Sequence, residues 1–533
     1  MGIPSYFSYI VKHHLNILRK LSENRVRIDN LYMDCNSIIY DAVYKLNATS
    51  NAENIADEII AKVICSIEEN IHLLKPSNTV FIAFDGVAPV AKLEQQRSRR
   101  FKSQYINKMT KNILKTDNPD SWNTAIITPG TNFMKMLDER IKNAFLDVSK
   151  FDTSKIIFSG SNEEGEGEHK IFDYIRKTPL EHDEHKNTVI YGLDADLIML
   201  SINHLPISPN IYLFRETPEF IKSINVELEP NEKYLLDIPE LANTIILNMN
   251  NGNNMSIEKQ NNTIYDYILM CFMLGNDFMP HFPAINIRTG GIDKLLNAYK
   301  EVIGGTDQNL TDGKKIHWCN MRKFIKYLAE NERHYLKQEH KQRDRRVKNQ
   351  MNNLTGEEGL EYFTNMPTYE RSIEKYINPF KDNWQVRYYS SLFDLQIDEE
   401  RTRQICVNYL EGLEWTMKYY TSGCPDWRWT YKYNYPPLLE DLIDYVPFFD
   451  TELMPCKEMN AVSSLVQLCY VLPRQSLVYL PDKLYKSIIR EKLGWYNTEC
   501  EFHWAYCKYF WESHPDLPNI DMRELEKFVE KNV

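Results

Sequence analysis

Four short apolar runs in the first half of the chain constrain its fold most, because each closes on an acidic or turn-forming residue and helical patterns lie between them. Val26–Met33 ends at Asp34, Thr79–Phe84 at Asp85, Lys155–Phe158 at Ser159–Gly160, and Thr188–Leu193 at Asp194. Runs of this length read as buried strands. Their alternation with helices predicts an α/β fold, a mostly parallel sheet flanked by helices. In open sheets of this kind ligands bind beyond the carboxyl ends of the strands. Asp34, Asp85 and Asp194 occupy such ends, so they are expected to meet in space although far apart in sequence.

The remaining composition narrows the class. The 533 residues are 43% hydrophobic and 26% charged, which excludes a disordered or collagen-like chain. No run approaches the ~20 apolar residues of a membrane span, and the opening residues lack a signal peptide's pattern, so no membrane association or export is expected. None of the ten cysteines forms a C-x-x-C pair, which argues for free thiols rather than a zinc site. A net charge of −11 disfavours a protein that coats nucleic acid but allows a local basic groove on an acidic body.

Two stretches interrupt the pattern. The Asn-rich Asn248–Asn262 reads as a flexible insertion, and Lys337–Lys348 as an exposed, charge-dense helix face, with a nuclear-import signal the weaker reading. Beyond them the chain turns helical and aromatic. The expected division is an α/β catalytic part over 1–300 and a mainly helical second region over 301–533 that braces it.

Seven acids stand at the informative positions: Asp34, Asp85, Glu166 and Glu168 in GEGEHK, Asp194 and Asp196 in GLDADLIML, and Asp277 in LGNDFMP. Asp194 and Asp196 are two apart and would share a face of an extended backbone. Seven converging carboxylates would repel and hold protons unless cations offset them. Oxygen ligands select Mg²⁺ or Mn²⁺, and two such ions could activate water against a phosphodiester. Of the nearby histidines, His182 and His185 read as solvated loop residues, and His169 is uninformative.

After Asp85, Pro89 suits the first turn of a helix. Lys92, Gln96, Arg99 and Arg100 then recur at one-face spacing. From Lys92 to Lys102 five basic residues face one Glu94, a local charge of +4. Such a face suits a phosphate, and so close to a metal ligand it would let an enzyme measure from a 5′ end.

These words are together distinctive. LYMDCNSIIY, FIAFDGVAPVAKLEQQRSRRFK, ITPGTNFM, SGSNEEGEGEHKIFDYIR, YGLDADLIMLSI and LGNDFMPHFP, followed by YLEGLEWTMKYYTSGCPDWRWTYKYNYPP and LVQLCYVLPRQSLVYLP, resemble in order the two regions of the XRN family of 5′→3′ exoribonucleases. The resemblance implies a 5′-nuclease (PIN-like) core and processive hydrolysis of single-stranded RNA bearing a 5′-monophosphate, releasing nucleoside 5′-monophosphates. It implies that the seven acids bind metal and that Lys92, Gln96, Arg99 and Arg100 hold the terminal phosphate.

Three of these words depart from the family's pattern. Tyr40 stands where the family has a base-stacking His, Glu164 replaces a Pro, and Asn434 and Pro436 replace His and Ala. Tyr40 could still stack but could not become cationic. Core packing is the expected role for most of Trp415, Trp427, Trp429, Tyr419, Tyr420, Tyr431 and Tyr433. The resemblance implies that one tryptophan of this segment, Trp427 or Trp429, stacks opposite Tyr40. The short length resembles forms carried by large DNA viruses, for which a monomer degrading messenger RNA in the cytoplasm is expected. A flap- or DNA-directed 5′ nuclease and a catalytically silent RNA-binding protein are the alternatives.

Overall fold

Where the apolar runs alternate sides, the sheet buries both faces. The computed structural model describes all residues except 1, 24–25, 48–54, 117–121, 219–220, 225, 227, 251–254, 348–355, 395–397 and 458. Strands β1 (Leu18–Lys20), β2 (Asn30–Asp34), β3 (Thr79–Ala83), β4 (Lys155–Ser159), β5 (Thr188–Tyr191), β6 (Ile211–Glu216) and β7 (Lys233–Asp237) form one sheet in the order β1-β7-β6-β5-β2-β3-β4. The pairs among β2 to β6 are parallel, and β7 runs antiparallel to both β6 and β1. Tyr32, Phe81 and Ile190 enter one core, while Leu31, Met33, Val80, Ile82 and Val189 enter the other. This is the period-2 alternation of a sheet covered on both sides.

The chain runs outward from β2 through β3 to β4, then returns to the other side of β2 as β5. That reversal opens a crevice at the carboxyl ends of β2 and β5, the switch point at which α/β sheets bind ligands. Asp34 ends β2, and Asp194 follows β5 by three residues.

The four expected strands are present, three with shorter bounds and β4 extended by one residue to Ser159. Pairing of β2 starts at Asn30, and just before it the Asp29 carboxylate accepts the Asn187 N–H (3.0 Å) and the Ser77 hydroxyl (3.3 Å). The sequence reading did not include β1, β6 and β7.

Helices supply the rest, notably Trp318–Val347 and Glu399–Thr421. One apolar cluster runs without a break from Tyr32 and Ile190 to Trp318, Tyr409 and Trp415, so the sheet and the helical region share a core. No helix among the described residues is long and apolar enough to cross a membrane.

Three local expectations are corrected. Within Asn248–Asn262, residues 251–254 lie outside the described set, but the helix Ile257–Phe272 already starts there, capped by the Ser256 hydroxyl, which accepts from the Lys259 N–H. The Lys337–Lys348 stretch is only partly an exposed face. Arg343 and Glu339 are buried, and Arg343 pairs with Glu374 at 2.8 Å and donates to the Cys507 carbonyl. His182 is fully buried between the Tyr32 hydroxyl (2.7 Å) and the Thr178 carbonyl (2.8 Å), whereas His185 is solvated as expected.

Candidate active site

The acids reach the crevice from strand ends, turns and helix starts. Asp34 is the last residue of β2, and Asp85 lies two residues past β3. The Asn36 side chain bonds Asp85 twice, donating to Oδ2 and accepting the Asp85 N–H, while the Gly167 N–H donates to Asp85 Oδ1 at 2.8 Å. Glu166 occupies the N-cap position of the helix Gly167–Lys177, and Glu168 lies in its first turn. A helix start favours negative side chains there.

Carboxylate oxygens of Asp34, Asp85 and Glu168 lie within 4.8 Å of one another, as do ligand atoms of Glu166, Glu168 and His169. Glu168 belongs to both groups. Asp277 sits in a turn where Asn276 Oδ1 accepts the Phe278 and Met279 N–H groups, both at 2.9 Å. Asp194 and Asp196 do not share an extended backbone. Ala195 is helical and Asp196 begins the helix Asp196–Asn203, so a turn replaces the expected strand geometry.

Lys92 is placed differently from an open phosphate pocket. Its ammonium is buried inside the acidic cluster, bonded to Glu166 Oε2 and, at 2.7 Å, to Asp277 Oδ2. A second buried lysine, Lys170, donates to the Phe84 (2.8 Å) and Gly160 (2.7 Å) carbonyls and so ties the ends of β3 and β4 together.

The electrostatics follow from burial and crowding. Burial, then Asp85 and Asp194, push the Asp34 carboxyl well above its ordinary range. Glu168 is raised by burial and by Glu166. Burial and Asp277 lift Asp196 to about 7. Asp277 moves the other way: burial would raise it, but Lys92 holds it below the usual carboxylate range.

Whether these residues suit cations can be judged from their oxygens. Asp34 Oδ1 and Asp196 Oδ1 are buried and have no hydrogen-bond partner among the described residues. Buried carboxylate oxygens without a donor are costly. The seven acids, with few cations near them, offer the oxygen ligands that suit a hard divalent ion, and among the described residues His169 is the one nitrogen ligand grouped with them. The residues fit such an ion.

The remaining helix-face residues lie along Val90–Leu114. Gln96 is buried, and the Gln95 amide reaches Asp277 at 3.5 Å. Arg100 donates to the Ala125 and Ile127 carbonyls, both at 3.4 Å, and burial lowers its pKa to about 10. Arg99 is half-buried, and its charge acts on Asp277. Tyr40 is 39% exposed and close enough to Arg100 to oppose that lowering. Arg97 points elsewhere, to the Trp495 and Pro518 carbonyls.

Of the two tryptophans considered for stacking, Trp429 is buried with its ring against Trp415 at 5.2 Å, which leaves it a core residue. Trp427 is half-buried, and its carbonyl accepts the Val90 N–H that opens the basic helix.

Two further aromatic residues stand out. Tyr419 belongs to the segment whose aromatics mostly read as core, and its hydroxyl donates to Glu166 Oε1 at 2.9 Å. Trp511 is 49% exposed and stacks on Tyr509 at 4.2 Å, and its carbonyl accepts from Lys102 at 2.8 Å. Lys102 is ten residues, or roughly 15 Å, along the helix from Lys92. A buried tyrosine hydroxyl always calls for a partner, a signal that could have singled out Tyr419. No comparable signal marks Trp511.

The chain is similar to known proteins. Residues 1–217 match the family described as XRN 5′-3′ exonuclease N-terminus, and residues 258–373 and 364–532 match the Xrn1 helical domain. The 5′-3′ exoribonuclease 2 homolog of Drosophila melanogaster is 25% identical over 99% of this chain and 70% of its own length. The 5′-3′ exoribonuclease 1 proteins of Saccharomyces cerevisiae and Homo sapiens are each 27% identical, over 90% and 99% of this chain. The chain spans only 40% and 34% of those two relatives. The catalytic core of Rad2 in complex with DNA substrate aligns over 66% of this chain and 81% of that one, at 16% identity and a TM-score of 0.30.

A parallel sheet with buried acids at its switch point, matched by nuclease relatives along nearly its whole length, defines a nuclease. The chain belongs to the XRN family of 5′→3′ exoribonucleases.

Proposed function

We propose that the chain is a divalent-metal-dependent exonuclease that degrades single-stranded RNA from a 5′-monophosphate end, releasing nucleoside 5′-monophosphates processively. The observation that carries this reading is Lys92: the helix bearing Gln96, Arg99 and Arg100 is bonded through it directly to Glu166 and Asp277. An anion-binding face and an acidic centre are thereby one unit. In this reading residues 1–300 hold the chemistry and 301–533 brace it.

Asp34, Asp85, Glu166, Glu168, Asp194, Asp196 and Asp277 would hold two ions of the Mg²⁺ or Mn²⁺ kind. When bound, such ions lower the pKa of water and stabilise charge on phosphoryl oxygens. The protein's own groups do the positioning. Gln96, Arg99 and Arg100 grip the terminal phosphate, Lys92 offsets negative charge beside it, and the exposed rings of Tyr40 and Trp511 offer faces on which bases stack. Water adds to the phosphorus joining the first two nucleotides, and the 3′ oxygen of the first departs. The phosphate stays on the shortened RNA, so each cut regenerates the end that the basic face reads. Such an activity suits the degradation of messenger RNA in the cytoplasm.

The test presents one RNA with monophosphate, triphosphate, hydroxyl or capped 5′ ends, alongside a flap DNA, with Mg²⁺ or with chelator. Metal-dependent digestion of the monophosphate RNA is expected. Equal digestion of all ends, or a preference for the flap, overturns the reading.

A further inference from the structure

We propose that Tyr419 is a positioning residue for Glu166, contributed to the acidic centre by the helical region. Tyr419 lies near the end of the helix Glu399–Thr421, and its hydroxyl donates to Glu166 Oε1 at 2.9 Å. Its ring is fixed on three sides, stacked on His169 at 3.8 Å and on Trp415 at 4.8 Å, with Phe278 edge-on at 5.4 Å. A ring held this way, 3% exposed, leaves the hydroxyl no other position.

The consequence concerns the other oxygen of Glu166. Oε1 carries the Tyr419 hydrogen bond, which fixes the plane of the carboxylate and leaves Oε2, the atom that Lys92 now holds, as the less encumbered oxygen for a cation. Lys92 can release it without losing its ion pairing, because Asp277 is already its second partner at 2.7 Å. Tyr419 therefore orients Glu166, and Lys92 holds Oε2 until a cation takes its place. Groups that orient a metal ligand typically change metal affinity or activity by roughly 10–100-fold when removed.

This inference rests on the metal-dependent reading, and the experiment separates the two. Tyr419→Phe keeps the ring stack and removes only the hydroxyl. Tyr409→Phe, which removes a buried hydroxyl from the same helix that bonds the Pro280 carbonyl at 3.3 Å, is the control. Melting temperature is followed as Mn²⁺ is titrated into the RNA-free full chain, and kcat and KM for RNA are measured at several Mn²⁺ concentrations.

Wild type and Tyr409→Phe should share one Mn²⁺ midpoint, and Tyr419→Phe should need roughly 10-fold more Mn²⁺. Its kcat should fall at low Mn²⁺ and recover at high Mn²⁺, with KM for RNA unchanged. An unaltered midpoint in Tyr419→Phe overturns the role of Tyr419 alone. The absence of any Mn²⁺ shift in wild type overturns the metal-dependent reading and this inference with it.

Discussion

Gly167 is a glycine because Asp34 already occupies the space beside it. A Cβ there would lie 2.6 Å from Asp34 Oδ1 and 3.5 Å from Asp85 Oδ1. Gly167→Ala should therefore displace a carboxylate of the cluster while leaving the sheet intact. The expected result is a roughly 10–100-fold loss of kcat, as for a disturbed ligand-supporting group, with an unchanged circular dichroism spectrum. Trp511→Ala should act on substrate instead. Loss of one stacking platform is worth about 1–3 kcal/mol, so KM for RNA should rise roughly 5- to 150-fold with kcat little altered. Steady-state kinetics on a monophosphorylated oligonucleotide distinguish the two effects. The contrast also marks what single residues reveal in the sequence. That Asp34 and Asp85 meet was legible because each closes an apolar run at the same end of a parallel sheet, although either acid alone could equally have been a cap or turn residue. Trp511 was not, since a tryptophan's role depends on which of its faces the fold leaves uncovered.

At the scale of elements, the Val90–Leu114 helix joins the two halves of the proposed site. Its first turn is pinned by Val90 N–H to the Trp427 carbonyl (3.0 Å) and by Lys92 to the acids, and its middle by Arg100 to the Ala125 and Ile127 carbonyls. The one-face spacing was readable from sequence, but Lys92 itself was expected to face a phosphate. It turns inward because the acids that attract it come from distant segments, which no local pattern encodes. Arg100→Ala should erase the preference for monophosphate over hydroxyl ends while hydroxyl-ended RNA is still cut. Competition between the two RNAs in one reaction measures this ratio, and a retained preference removes Arg100 from the phosphate site. The same locality bears on the strands: β2 to β5 were legible as closed apolar runs, whereas β1, at the sheet edge, takes its strand character from antiparallel pairing with β7.

For the whole molecule, the acidic cluster makes stability depend on pH and metal together. Asp196 keeps its proton up to about 7 in the fold, against an ordinary value of 3.8. Asp34 and Glu168 are raised as well, chiefly by burial. Between about pH 4 and 7 these acids bind more protons in the fold than in the unfolded chain, and their contribution to stability falls as pH rises through that window. The buried His169, His204, His281 and His514, all lowered chiefly by burial, contribute with the opposite sign up to about 6.5. Asp277, held low by Lys92, shares that opposite sign, but only below its ordinary value of 3.8, outside that window. Cation binding needs the acids ionised, so metal stabilisation should grow as the protons leave. The melting temperature in saturating Mn²⁺ should therefore exceed that in chelator by a gap that widens from about pH 5 to 7.5. A gap that stays constant across this range would mean that the cluster titrates independently of the metal. The buried acids would then be structural groups, and the cations that the proposed reaction requires would have to bind elsewhere.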